Sequence, residues 1–189
     1  MTTHPLAYRT AQAIGFSGAA WLSGNIASLS LLTVPALLRS STTTTTNTKS
    51  IPLNLIIKTW HQIYESGKAQ NPPIAAATAT AFVYLAWTVS RAVEPPQLLQ
   101  RLSNSTSTVS PAAWYAAAAG LVLSIVPFTA VVMQGTNAAL IRLSESPAEL
   151  TAQEEMESRE LLKRWGWLNG ARSILPLAGG LVGIAAACV

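Results

Sequence analysis

Charged residues divide this chain into four long segments that carry no charge. These segments comprise 29 residues between Arg9 and Arg39, 22 between Lys68 and Arg91, 40 between Arg101 and Arg142, and 17 after Arg172. A helix needs roughly 20 apolar residues to cross the hydrocarbon core of a bilayer, so each segment has room for one span. The pattern predicts spans near residues 11–38, 73–92, 111–140 and 166–187.

Four spans predict an all-α fold, a four-helix transmembrane bundle that forms one integral membrane domain over residues 1–189. Hydrophobic residues make up 50% of the chain and charged residues only 11%, against about 25% charged in an average soluble domain. A soluble helical bundle would need polar faces, and the second and fourth segments have almost none. Small residues recur four apart, at Ala20, Gly24 and Ser28 and at Gly179 and Gly183, a spacing that lets helices approach closely in lipid.

Two loops are predicted to contain short amphipathic helices. The first loop contains IPLNLIIKTWHQIYESGKAQNPP from Ile51, a pattern typical of a helix at the membrane interface. The third contains SESPAELTAQEEMESRELLKRW, with a helix cap expected at Ser144 or Ser146 and a solvated helix that leads into the fourth span. Loops one and three together carry eight Lys and Arg residues against three on the opposite side, so the positive-inside rule places them in the cytosol.

Composition excludes several classes of function. The net charge is +4, but the basic residues are scattered, whereas a nucleic-acid-binding protein clusters them on one face. The single Cys188 excludes an internal disulfide, and together with His4 and His61 it does not suffice for a thiolate or His-rich metal site. We therefore predict no nucleic-acid partner and no metal. Asn104 begins a glycosylation sequon, on the predicted lumenal side of the membrane.

Polar and aromatic residues form three groups at or inside the predicted spans, and in a helix each group would share one face. The groups are Trp60, His61, Tyr64 and Glu65; Thr129, Met133, Thr136, Asn137 and Leu140; and Trp165, Leu168, Asn169 and Arg172. Either each helix contributes one polar stripe to a shared intramembrane pocket, or the residues are structural. In the structural interpretation, aromatic rings anchor the interface, Asn137 bonds a neighbouring helix and Arg172 extends to the headgroups.

Three motifs within these groups resemble those of the fungal anthrone oxygenase family, the DUF1772 membrane proteins. They are W-x3-Y-x2-G from Trp60, P-F-T-x6-T-N-x2-L from Pro127 and W-x2-L-N-x2-R from Trp165. The resemblance covers nearly the whole chain, and the threonine-rich loop is its most divergent part. It implies a membrane oxidoreductase of secondary metabolite biosynthesis. Such an enzyme converts a polyketide-derived anthrone to an anthraquinone with molecular oxygen, without flavin, haem or a required metal.

This reaction needs a base, donors for a developing oxyanion, a slot for flat rings and exclusion of water. We predict that His61 is the base, oriented by Glu65 or Tyr64, and that Asn137 and Arg172 stabilise the anthranolate or peroxide oxygen. The residues predicted to bind substrate are Trp60, Phe128, Met133, Thr136, Trp165 and Asn169.

Two other functions remain open from the sequence. The chain could be a membrane carrier for a product of the biosynthetic cluster, although such carriers usually show an inverted repeat and the halves of this chain are dissimilar. It could also be an accessory scaffold that holds a partner enzyme at the membrane through the charged segment 144–164. A flat aromatic substrate dissolves in the bilayer, so we expect an integral, multi-pass protein of an endomembrane, either the endoplasmic reticulum or a vesicle.

Overall fold

The computed structural model describes residues 5–41, 51–92, 110–146 and 150–189, and every regular element within them is helical. In chain order the elements are α1 (Leu6–Ser28), a first π-helical turn (Leu29–Thr33), α2 (Val34–Ser40), α3 (Leu53–Arg91), α4 (Pro111–Leu123), α5 (Ile125–Pro127), a second π-helical turn (Phe128–Val132), α6 (Gln134–Ser144) and α7 (Ala152–Cys188).

Four helical stretches of the described residues are long and apolar enough to cross a membrane. They are Leu6–Ser40, Leu53–Arg91, Pro111–Val132 and Ala152–Cys188. The predicted fold class is therefore confirmed. The third stretch ends earlier than predicted because the helix is interrupted at Met133, after which α6 begins.

The amphipathic segment of loop one is helical as predicted, but it is not a separate short helix. It continues into the second span as α3, a single helix of 39 residues that includes Pro72 and Pro73. Each proline removes one backbone N–H from the helical hydrogen-bond ladder. Membrane helices tolerate this loss because neighbouring groups and small local adjustments satisfy the freed carbonyls.

The charged segment of loop three also continues into its span, as expected, and forms the first turns of α7. Its cap is neither Ser144 nor Ser146. Thr151 accepts a hydrogen bond on its hydroxyl from the Glu154 backbone N–H (3.3 Å), and the Glu154 carboxylate accepts one from the Thr151 N–H (2.8 Å). This reciprocal pair is a capping box, which satisfies backbone donors at the start of the helix.

Contacts between Cα atoms divide the chain into two compact units, so the single domain over 1–189 stays a prediction. Unit 1 comprises Met1–Leu22, Pro73–Ser124 and Leu175–Val189, and unit 2 comprises Ser23–Pro72 and Ile125–Ile174. Each unit thus draws one segment from each of the four long helical stretches.

Close helix contacts in unit 1 depend on glycines of the fourth span, as the sequence predicted. A Cβ atom added at Gly183 would lie 2.6 Å from Cε1 of Phe82, and one added at Gly179 would lie 3.0 Å from the carbonyl oxygen of Ala118. A side chain at Gly183 would therefore force the Phe82 ring to move, and one at Gly179 would crowd the backbone of the neighbouring helix.

The predicted small-residue stripe of the first span is not a contact face. Ala20 and Gly24 are exposed, and no atom lies within 4 Å of a Cβ built at Gly24. Another face packs instead: a Cβ at Gly15 would lie 2.8 Å from the Phe82 ring, and Ala19 is fully buried.

The core of unit 2 combines aliphatic side chains with two tryptophans. Its buried members are Val34, Leu53, Ile56, Ile57, Trp60, Met133, Leu140, Leu143, Leu162 and Trp165. This core fixes α3, α6 and α7 against each other, and those helices carry most of the polar residues that the sequence singled out.

Candidate active site

A cavity of about 490 Å³ lies within unit 2. Small-molecule sites usually occupy roughly 300–1,000 Å³, so the cavity is large enough for a flat polycyclic molecule. Most of its wall is apolar. The lining residues with polar groups are Tyr64, Lys68, Asn71, Thr129, Gln134, Asn137, Trp165 and Arg172.

Arg172 is held in this wall by neutral acceptors. Its Nη1 donates to the Thr129 hydroxyl (2.8 Å) and its Nη2 donates to Oδ1 of Asn169 (2.7 Å). Its Nε is buried and finds no hydrogen-bond partner in the described part of the chain. No carboxylate of the described residues forms an ion pair with it. The cavity therefore contains a guanidinium whose charge no described carboxylate neutralises.

Asn137 presents a hydrogen-bond donor to the same cavity. The indole Nε1 of Trp165 donates to Asn137 Oδ1 over 3.0 Å. An indole can only donate, so this contact fixes which end of the carboxamide faces Trp165. The side chain is buried (5% exposed), and its Nδ2 forms no hydrogen bond with the described residues. Nδ2 is therefore a free donor in a wall residue.

Three aromatic rings that contact one another lie beside these polar groups. The Trp60 ring centroid lies 5.4 Å from that of Tyr64 and 5.6 Å from that of Trp165, which it meets edge-on. Tyr64 and Trp165 line the cavity, whereas Trp60 is buried behind them (1% exposed). Trp60 thus supports the ring wall rather than forming it, and its indole N–H has no hydrogen-bond partner among the residues that the structure describes.

His61 does not line the cavity. Its Nδ1 lies 2.9 Å from the hydroxyl of Ser144, the last residue of α6, and its Nε2 lies 3.9 Å from a carboxylate oxygen of Glu65. The Ser144 hydroxyl also lies 2.7 Å from the Ile141 carbonyl oxygen, and the tautomer of His61 decides whether the hydroxyl donates to the imidazole or accepts from it. The structure thus brings Asn137 and Arg172 to one cavity and places His61 outside its lining.

The remaining predicted residues of the second motif also lie outside the lining. Met133 and Thr136 are buried, and Phe128 packs against the hydrophobic core of unit 2. The physical reason is the second π-helical turn, which adds a residue to one turn and shifts the helix face. The face that lines the cavity comprises Thr129, Ala130, Gln134, Asn137, Ala138 and Ile141, one position later than the predicted stripe at most sites.

Asn169, the last predicted substrate-binding residue, contacts Arg172 instead of the cavity. It is completely buried, and its Nδ2 donates to the Ile26 carbonyl (2.8 Å) and to the Ser30 hydroxyl (3.0 Å). Ile26 and Ser30 flank the start of the first π-helical turn. Both π-helical turns therefore lie next to groups that hold Arg172.

Lys68 and Asn71 line the cavity but were missed from the sequence. They follow Tyr64 by four and seven residues, so continuing the helical face of the first motif would have found them. Asn71 accepts a hydrogen bond from Asn25 (3.0 Å), and Lys68 lies 3.3 Å from Glu65. The predicted sequon at Asn104 lies outside the described residues. Among the residues that are described, no group of three or more His, Cys or acidic side chains could hold a metal ion.

Fold and site together define a multi-pass membrane protein with a largely apolar cavity whose wall carries an arginine and a carboxamide. Comparison with known sequences agrees with this class. The family model for anthrone oxygenase matches residues 60–182, which contain all three motifs. The chain belongs to the anthrone oxygenase family, as the sequence motifs indicated.

Curated fungal relatives extend the match over most of the chain. Anthrone oxygenase encC of Aspergillus fumigatus is 37% identical over 185 residues, which cover 92% of this chain and 90% of the relative. Anthrone oxygenase ptaC of Pestalotiopsis fici is 34% identical and covers 82% and 95%. Noranthrone monooxygenase of Aspergillus flavus is 29% identical and covers 89% and 69%. No solved structure matches the chain.

Proposed function

We propose that this protein oxidises a polyketide-derived anthrone to the corresponding anthraquinone with molecular oxygen, within an endomembrane and without an organic cofactor or metal. The observation that carries the proposal is the pair of Arg172 and Asn137 in one largely apolar cavity. Arg172 offers a positive charge without a carboxylate partner, and Asn137 offers a free N–H. Such groups stabilise an oxyanion far more in a water-poor cavity than in bulk water.

The chemistry begins with loss of a proton from C10 of the anthrone, which moves negative charge to the oxygen at C9. Arg172 and Asn137 stabilise this oxyanion. The electron-rich anion transfers one electron to O2, and the resulting radical pair combines at C10 to give a peroxide. Loss of the second C10 proton and cleavage of the O–O bond leave the new carbonyl, so anthrone and O2 yield anthraquinone and water.

Proton transfer is assigned to groups that line the cavity. Tyr64 and Lys68 are the described lining residues on α3 with ionisable side chains, and the Lys68 ammonium lies 5.9 Å from the centre of the Tyr64 ring. His61 is bonded to Ser144 outside the lining, so the geometry favours Tyr64 and Lys68 for the contact with substrate. Tyr64 and Trp165 supply the aromatic wall against which the flat rings stack.

The test is oxygen uptake by the purified protein in detergent micelles with a hydroxylated anthrone. We expect uptake above the spontaneous rate of protein-free micelles, one quinone formed per O2 consumed, and the label of ¹⁸O2 in the new carbonyl. Treatment with a metal chelator should leave the rate unchanged. No acceleration by a folded, monodisperse protein would refute the proposal and favour a carrier or scaffold, and a rate that the chelator abolishes would refute metal independence.

A further inference from the structure

The side chain of Asn169 is fully buried behind the cavity wall, and every strong hydrogen-bonding direction of its carboxamide is determined. Nδ2 donates to the Ile26 carbonyl and the Ser30 hydroxyl, at 2.8 and 3.0 Å. The acceptor Oδ1 therefore points to Nη2 of Arg172, at 2.7 Å. Because a carbonyl oxygen and a hydroxyl fix the amino end, the carboxamide cannot turn over without losing the bond to the Ile26 carbonyl.

The charge of this contact matters as much as its geometry. A guanidinium in a protein interior is usually paired with a carboxylate, which binds it strongly and neutralises it. Here both side-chain acceptors of Arg172 are neutral, the Thr129 hydroxyl and the Asn169 carboxamide. They hold the cation in place and leave its charge available to a ligand.

We propose that Asn169 is a positioning residue that directs the Arg172 guanidinium into the cavity. Because the Asn169 side chain is uncharged, it leaves the role of counter-ion to the oxyanion of the ligand. This inference rests on the proposed function for its choice of ligand. It predicts that the site binds the ionised form of a flat phenolic ligand more tightly than the neutral form. It also predicts that a carboxylate at position 169 abolishes this preference.

The probe is 2-hydroxyanthraquinone, whose colour changes when its hydroxyl ionises. Its apparent pKa is measured with the purified protein and in protein-free micelles. With the wild-type protein we expect the apparent pKa of the bound probe to fall. Asn169→Asp should raise it by about one unit or more relative to wild type, since a nearby carboxylate takes the place of the bound anion. Asn169→Ala loses the same amide donors without adding charge, so its effect should be intermediate.

Binding of unsubstituted anthraquinone, which has no hydroxyl to ionise, checks that each variant keeps its cavity. Should Asn169→Asp not fold, Asn169→Ala decides alone, and Ser30→Ala offers a milder change with a smaller shift in the same direction. If a folded Asn169→Asp or Asn169→Ala protein lowers the apparent pKa of the probe as much as the wild-type protein does, the inference is overturned. A wild-type protein that does not shift the probe would overturn it too.

The oxygen assay separates this inference from the proposed function. If the wild-type protein shifts the probe, the Asn169 variants lose that shift and oxygen uptake is not accelerated, the proposed function fails and the positioning role stands. If the protein accelerates oxygen uptake and both Asn169 variants match wild type in rate and probe shift, only the positioning role fails.

Discussion

Replacing Asn137 with Asp removes the donor that faces the cavity but keeps an acceptor for Trp165. The indole N–H can still donate across about the same distance as the present 3.0 Å bond, so the buried hydrogen bond survives. The Nδ2 group is replaced by an oxygen that carries negative charge when ionised. The variant thus removes the Nδ2 donor to the substrate oxyanion and keeps the hydrogen bond from Trp165 that supports the cavity wall.

The expected loss of kcat follows from the removal of one hydrogen-bond donor to the oxyanion. Removing one donor of an oxyanion hole typically lowers kcat about 10²–10³-fold, or about 2.7–4 kcal/mol. An ionised carboxylate at position 137 would also repel the substrate oxyanion and offer Arg172 a counter-ion, so we expect the upper end of this range. Stability should change little by comparison. Asn137→Leu instead leaves the Trp165 N–H buried without a partner, which costs about 1–3 kcal/mol of folding free energy.

The assay compares both variants with wild type for initial oxygen uptake with a hydroxylated anthrone, and for thermal unfolding in the same detergent. Both variants should lose turnover, and only Asn137→Leu should lose marked stability. A folded Asn137→Asp protein with near-wild-type kcat would show that the carboxamide donor does not act on the oxyanion. Equal destabilisation of the two variants would refute the assignment of the Trp165 bond.

Four other substitutions test the remaining contacts. Arg172→Lys keeps the charge but cannot reach both of its present acceptors, so kcat/KM for the anthrone should fall about 10²-fold, the usual cost of misplacing a group by 1 Å. Thr129→Val removes one of those acceptors at similar size, and its kcat/KM should lie between those of wild type and Arg172→Lys. His61→Ala should leave oxygen uptake near wild type and cost about 1 kcal/mol of folding stability through the lost bond to Ser144; loss of turnover in a folded protein would restore His61 as the base. Gly183→Ala forces a methyl group against the Phe82 ring and should cost about 1–3 kcal/mol in thermal unfolding, with the fully open Gly24→Ala as its control.

The sequence was sufficient for the parts of the site that lie on regular helix. Trp165 and Arg172 are seven residues apart on α7 and both line the cavity, because an uninterrupted α-helix brings such residues to one face. The membrane spans were predictable for a related reason. The length of a segment without charged residues can be counted from the sequence, with no knowledge of how the helices pack. The continuity of the helix across Pro72 and Pro73 was not predictable, because it depends on which groups surround the carbonyls that the prolines leave unbonded.

Two predicted placements at the site differ from the structure for distinct physical reasons. Met133 and Thr136 were assigned to the cavity on the assumption of 3.6 residues per turn, and the π-helical turn Phe128–Val132 shifts that face by about one residue. His61 shares α3 with Tyr64, but its partner is set by which turn of α6 lies opposite. That register depends on side-chain packing between helices, and no spacing within either segment reveals it.

The neutral surroundings of Arg172 suggest how such a cavity could favour oxidation of a substrate that arrives uncharged. A site that binds the anthrone anion more tightly than the neutral molecule lowers the apparent pKa of the bound substrate, by one unit for every 1.36 kcal/mol of difference. An arginine inside a membrane span is itself unfavourable, by about 2.5–3.5 kcal/mol at the bilayer centre. Formation of the substrate anion relieves part of that cost at the moment when the reaction with oxygen requires the anion. A carboxylate partner would relieve this free-energy cost already in the empty protein, and formation of the substrate anion would then gain no stabilisation from it. This accounts for the neutral acceptors at Thr129 and Asn169.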